Sequence, residues 1–242
     1  MAFDLNTLDA HFTALAGFDW GADADFFKSI DAAVVAAHGD TSLRADLEKR
    51  FGALLGGSTS RATKEYVCRK LAMIGTAVSV PALAALLTDA DNSHMARFAL
   101  ERIDAPEAAA ALRKALGMVE GSLKIGMISS LASRGDLQSV AAIGGLLGGD
   151  ATIAAAAAAA LGTLATPEAA AALAGAKPGG DMAAAVVDAR LACAEAFLAK
   201  GDRKAAKAIY SSISASIGEA PKTHRERAVR VAAKRGLLAA AE

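Results

Sequence analysis

Residues Met95–Leu116 read MARFALERIDAPEAAAALRKAL. The reading is two short helices joined by a tight turn at Asp104-Ala105-Pro106, with proline where a first helical turn tolerates it. Versions of this unit recur on both sides. Leu71, Leu100, Leu131 and Leu161 stand 29, 31 and 30 residues apart. Twelve residues beyond each lies an apolar side chain: Leu83, Leu112, Ile143 and Leu173. Three beyond each lie Ile74, Ile103, Arg134 and Leu164, with arginine the exception. A turn follows every time, at Gly75-Thr76, Asp104-Ala105-Pro106, Gly135-Asp136 and Ala165-Thr166-Pro167.

Self-similarity at this period, in a chain with helical patterning only, predicts an all-α fold of stacked antiparallel hairpins, an α-solenoid. A lone helix pair cannot bury its apolar stripe, whereas stacked neighbours share one core. Composition agrees. Apolar residues make up 54% and aromatics only 5%, so alanine-rich helices fit better than sheet. Four regular hairpins are expected at roughly 59–87, 91–116, 121–147 and 150–176, with Ser58, Asp91, Ser122 and Asp150 as N-caps. In the third, Gly144, Gly145, Gly148 and Gly149 predict a short or soft second helix.

Residues 1–57 stand apart as an N-terminal helical cap. They hold six of the eight phenylalanines and Trp20, the bulk an end unit uses to cover its own core. An aromatic binding patch around Phe18 and Trp20 is the alternative. Three helices are expected there, Leu5–Leu15, Asp23–Ala37 and Thr41–Leu55. Residues 58–177 form the repeat block. Lys177-Pro178-Gly179-Gly180 is the strongest break, and 178–242 form a C-terminal helical region: Asp181–Lys200, Lys204–Ser216 and a last helix from about Lys222 to Ala240. That last helix ends without an obvious polar cap, so the array is expected to continue in a longer parent or to be covered by association.

KEYVCRKLAMIGTAVSVPALAALL and HMARFALERIDAPEAAAALRKAL resemble HEAT-type repeats, in particular the short bacterial form also found in phycobilisome-lyase-like proteins. AFLAKGDRKAAKAIY resembles a tetratricopeptide hairpin. The whole chain resembles planctomycete-type HEAT-repeat proteins of unassigned role. The resemblance implies a right-handed superhelix that binds partners and prescribes no reaction. Its signature positions are packing residues, so it carries over no catalytic residue.

The chemistry-bearing residues are sparse. His11, His38, His94 and His224 lie in separate segments, none with a second ligand at metal spacing. No phosphate loop, GxSxG or HExxH occurs. Neither enzyme activity, a metal nor a cofactor is therefore expected. Cys68 and Cys193 fit buried small hydrophobes, and MAFDLNTLDAHF lacks the features of a secretory signal, so a cytoplasmic location is expected. Ala151–Ala176 is the most apolar stretch; its alanines and central Pro167 favour a buried hairpin over a membrane span.

Three surfaces are candidates for partners. Lys64, Arg69, His94, Arg97 and Lys124 should gather at one edge, near helix N-termini that favour acidic groups; the alternative is a solubilising rim with Arg97 paired to Glu101. The second helices carry Ala84-Ala85, Arg113-Lys114, Gly144-Gly145 and Ala174-Gly175 after their main apolar residue. As HEAT resemblance implies an inner groove there, Arg113 and Lys114 would be cations in a bare groove suited to a helix or extended peptide. Inward packing of the small residues is the equal alternative. Finally, Arg227, Arg230 and Lys234 make a basic stripe on the last helix, while residues before 41 hold seven acids against Lys28. The net charge is zero, which argues against nucleic acid as the stripe's partner. The leading expectation is a non-enzymatic protein- or peptide-binding scaffold. A nucleic-acid module using the stripe, or a lyase-type chromophore-handling protein, is the alternative.

Overall fold

The computed structural model describes residues 5–177, 179 and 181–241. All of its regular structure is helical. Among the described residues fourteen α-helices follow one another: α1 (Leu5–Ala16), α2 (Phe27–Ala36), α3 (Thr41–Gly56), α4 (Arg61–Ile74), α5 (Val80–Ala84), α6 (Ser93–Leu100), α7 (Pro106–Leu116), α8 (Gly121–Ser133), α9 (Val140–Gly144), α10 (Ala151–Leu164), α11 (Pro167–Gly175), α12 (Asp181–Ala199), α13 (Arg203–Ile217) and α14 (His224–Ala239). Among the described residues no helix is long and apolar enough to cross a membrane. Two compact units are distinguished, Met1–Ser130 and Leu131–Glu242. Pro178 and Gly180 of the expected break lie outside the described residues.

In the first unit α4 packs on α6, while α3, α5 and α7 pack in succession. The anchors explain why: Leu71, Leu83, Leu100 and Leu112 are fully buried, with Ile74 and Ile103 beside them. The N-terminal rings close one end. Phe12 meets Phe51 at 5.1 Å, and Phe18 takes edge contacts from Trp20, Phe26 and Phe27. Phe18 is buried but Trp20 is 68% exposed. Ser60, not Ser58, caps α4. Its hydroxyl accepts the Thr63 N–H and donates to the Phe18 carbonyl, and Thr63 donates to the Leu15 carbonyl. Serving two chain segments at once is what selects this serine.

Glu48 on α3 is 4% exposed. Its carboxylate accepts the Thr76 N–H and the Thr76 and Ser79 hydroxyls, which hold the turn between α4 and α5. That turn becomes a 3-10 segment, Ala77–Ser79, so α5 is shorter than the spacing predicts. Asp91 is not the α6 cap either. Asp89 takes the Asp91 N–H and the Asn92 amide, and its carbonyl accepts the Ser93 N–H.

In the second unit α10, α12 and α14 pack in succession, α9 packs on α11, and α13 lies against α12 and α14. Asp150 caps α10 as expected, through the Thr152 and Ile153 N–H groups. The alanine-rich α10 and α11 form a hairpin that turns at Ala165, which adopts a left-handed conformation with φ 45°. Small residues let α10 and α12 approach closely: a Cβ at Gly162 would lie 2.9 Å from the Ala189 carbonyl oxygen. Leu131, Ile143, Leu161 and Leu173 are buried. The glycine-rich second helix is short, as expected, with α9 only five residues long and a 3-10 segment after it. The twelve-residue offset that runs from Leu71 to Leu83 would, from Phe197, reach Ile209. Tyr210 rather than Ile209 is fully buried, facing Gly236 of α14.

The hairpins alternate in kind. The first and third enter their second helix through 3-10 segments, Ala77–Ser79 and Leu137–Ser139. The second and fourth enter through an identical heptapeptide, PEAAAAL, at Pro106–Leu112 and Pro167–Leu173.

Candidate functional site

The expected basic edge is brought together only in part. A cavity of about 230 Å³ is lined by Glu65, Cys68 and Arg69 of α4 and by His94, Met95 and Phe98 of α6. Arg69 is paired with Glu65. Lys124 is bonded to Glu120 at 3.0 Å and largely covered. Lys64 is half-buried and helps hold the Asp89 carboxyl below its ordinary range, chiefly the work of the Asn92 hydrogen bond. Arg97 turns inward: Nη1 donates to the Gly126 carbonyl and to Ser130 Oγ, each at 3.1 Å, and Nη2 lies 3.4 Å from His94 Nδ1. Gly126 leaves room for this, since a Cβ there would lie 2.6 Å from the guanidinium carbon. Glu101 accepts from Ser130 rather than from Arg97. Burial pushes the Arg97 pKa down, with Glu101 partly opposing.

Cys68 also faces inward, and its thiol is pushed up to about 12 by burial and by Glu65. Only the thiolate attacks electrophiles. In the folded protein Cys68 is therefore expected to stay unmodified by iodoacetamide at pH 8, and to react once urea is added. Mass spectrometry reads the adduct, and labelling of the native thiol at the unfolded rate would refute the assignment.

Of the two positions expected in the groove, the second is open in every hairpin, while Ala84, Arg113 and Gly144 at the first are half-buried. Ala85, Gly145, Ala174 and Gly175 are exposed, and a Cβ at Gly145 or Gly175 would meet nothing within 4 Å. Close stacking does not explain Gly145 and Gly175, whereas Gly144 lies against Ala172. Lys114 is exposed, and Arg113 is half-buried and already engaged within the chain. On α14, Arg227 and Lys234 are exposed while Arg230 donates to the Glu219 carbonyl.

A residue outside these expectations gives the second unit its most distinctive site. Ala170, Ala171 and Ala174 of α11 and Ala208, Ile209 and Ser212 of α13 form the walls of a groove of about 270 Å³, with Arg190 and Cys193 of α12 also lining it. Arg190 is half-buried and its Nη2 donates to Ser212 Oγ at 2.7 Å. Burial pushes its pKa down, and among the described residues no carboxylate counters it. The other large cavity of this unit, about 430 Å³ between α12, α13 and α14, holds Arg225, which is neutralised by Asp188 at 2.7 Å. A signal was present in the sequence: Arg190 has Val186, Val187, Cys193 and Ala194 at helical neighbour spacing, with no acid among them.

Among the described residues, no group of three or more His, Cys, Asp or Glu side chains is placed to hold a metal ion. No known protein family matches the chain, and no curated protein is similar to it.

Proposed function

We propose that this chain is a HEAT-like α-solenoid scaffold that holds a protein segment, helical or extended, along the small-residue face of the second helices of its second unit, α9 and α11. The observation that carries the reading is the open space over Gly145 and Gly175 and the alanine-walled groove beside Ala174. Bare, rigid helix faces admit a backbone closely and lose little side-chain freedom on binding. The near-constant repeat and the succession of α3, α5 and α7 support the same architecture.

The test fills the groove. Ala174→Trp places a bulky ring on an exposed position of α11 and leaves the buried anchors untouched. Pull-down from the native cell, read by mass spectrometry, is expected to recover a protein with the unaltered chain and to lose it with the variant. Equal recovery by both, with the helical content of both unchanged, would remove the groove from the proposal. Loss only on changing Arg227 and Lys234 to Glu would transfer the role to the basic stripe.

A further inference from the structure

Of the three cavities described, two contain cations already matched by acids: Arg69 by Glu65 and Arg225 by Asp188. The third is different. Arg190 is covered on one side by alanine methyls and Ile209, donates to one neutral hydroxyl, and among the described residues forms no ion pair. A guanidinium partly withdrawn from water gains from a counter-charge, and its planar fork fits a carboxylate with two parallel hydrogen bonds.

We infer that the groove between α11 and α13 is a carboxylate-binding site, in which Arg190 pairs with an acidic residue of a bound peptide while the alanine walls receive the small side chains flanking it. This rests on the peptide-holding role proposed above and names the chemistry of the occupant. Two features fix that chemistry. The charge to be matched is single and positive, and Ser212 completes the edge with a hydroxyl free to re-aim. The walls are methyl groups from Ala170, Ala171, Ala174 and Ala208, so bulky flanking residues would be held away from the guanidinium.

The test uses the full chain and three pentapeptides: acetyl-AAEAA-amide, its Gln counterpart acetyl-AAQAA-amide, and acetyl-AAAAA with a free C-terminal carboxylate. Titration is followed by NMR on the Arg190 side-chain N–H and the backbone amides of α11 and α13. The Glu peptide should shift these resonances saturably, and its Gln counterpart should bind about tenfold more weakly, the loss of one charge-assisted pair. Binding of the free-acid peptide in place of the Glu peptide also supports the site and assigns it to a chain terminus. Arg190→Gln should abolish the difference between Glu and Gln, and Arg190→Lys should keep part of it. Because Arg190 makes no ion pair among the described residues, both variants are expected to retain the fold, checked by circular dichroism. Equal binding of Glu and Gln peptides, shifts confined to α14, or Arg190→Gln binding unchanged would overturn the inference. Failure of all three peptides, with partner recovery still lost in Ala174→Trp, overturns this site and leaves the scaffold reading standing.

Discussion

Glu48→Ala is expected to cost about 3 kcal/mol of stability, from the loss of a buried charged acceptor and the stranding of its donors. The carboxylate gathers three donors from the α4–α5 turn, and Ser79 is itself 1% exposed. In the alanine variant the Ser79 hydroxyl and the Thr76 N–H lose their acceptor in a place water reaches poorly. Glu48→Gln keeps an oxygen for these donors and should cost about half as much, the difference between charged and neutral hydrogen bonds. The urea midpoint followed by circular dichroism measures both. A midpoint for Glu48→Ala within error of the unaltered chain would show that the turn stands without its acceptor. Ser79→Ala should be milder than either, since it removes one donor and strands nothing else.

The second large effect is expected at Gly236. Alanine normally strengthens a helix by about 1 kcal/mol relative to glycine. Here a Cβ would lie 2.5 Å from each Cε of Tyr210, whose ring is 2% exposed and fixed among Cys193, Phe197, Ile213 and Val229. Overpacking of this kind costs about 1–3 kcal/mol and sometimes more, and the overlap is with a rigid ring. A net loss of about 2 kcal/mol is expected once the helix gain is subtracted. Tyr210→Leu alone should also destabilise by leaving a cavity. The double variant should cost less than the two single changes together, since each relieves the other. Strict additivity would mean that the ring and the glycine do not face one another in solution.

How far the sequence reading reached is set by the range of the interactions involved. Leu71, Leu83, Leu100 and Leu112 were legible because a twelve-residue offset recurring near every thirty residues serves burial alone, and all four are buried. Asp150 was legible because its capping partners are two and three residues away. Ser58 was the wrong cap because the better serine, Ser60, also satisfies the Phe18 carbonyl, 42 residues distant in the chain. Glu48 is silent in the sequence for the same reason, as its partners lie 28 and 31 residues on. The spacing of Arg97 predicts a place on a basic rim, whereas Gly126 admits it to a pocket with Ser130. Arg190 shows the converse. What distinguishes it is the lack of an acid around it, and a helix spacing shows that only within its own helix.

The alternation of hairpin types bears on how such a chain changes length. PEAAAAL at Pro106–Leu112 and again at Pro167–Leu173, 61 residues apart, gives two identical junctions. Recombination between them would remove or duplicate one long-helix and one 3-10 hairpin together, preserving the order in which the two kinds follow. The heritable brick is thus a double one, and growth by single hairpins would set like against like.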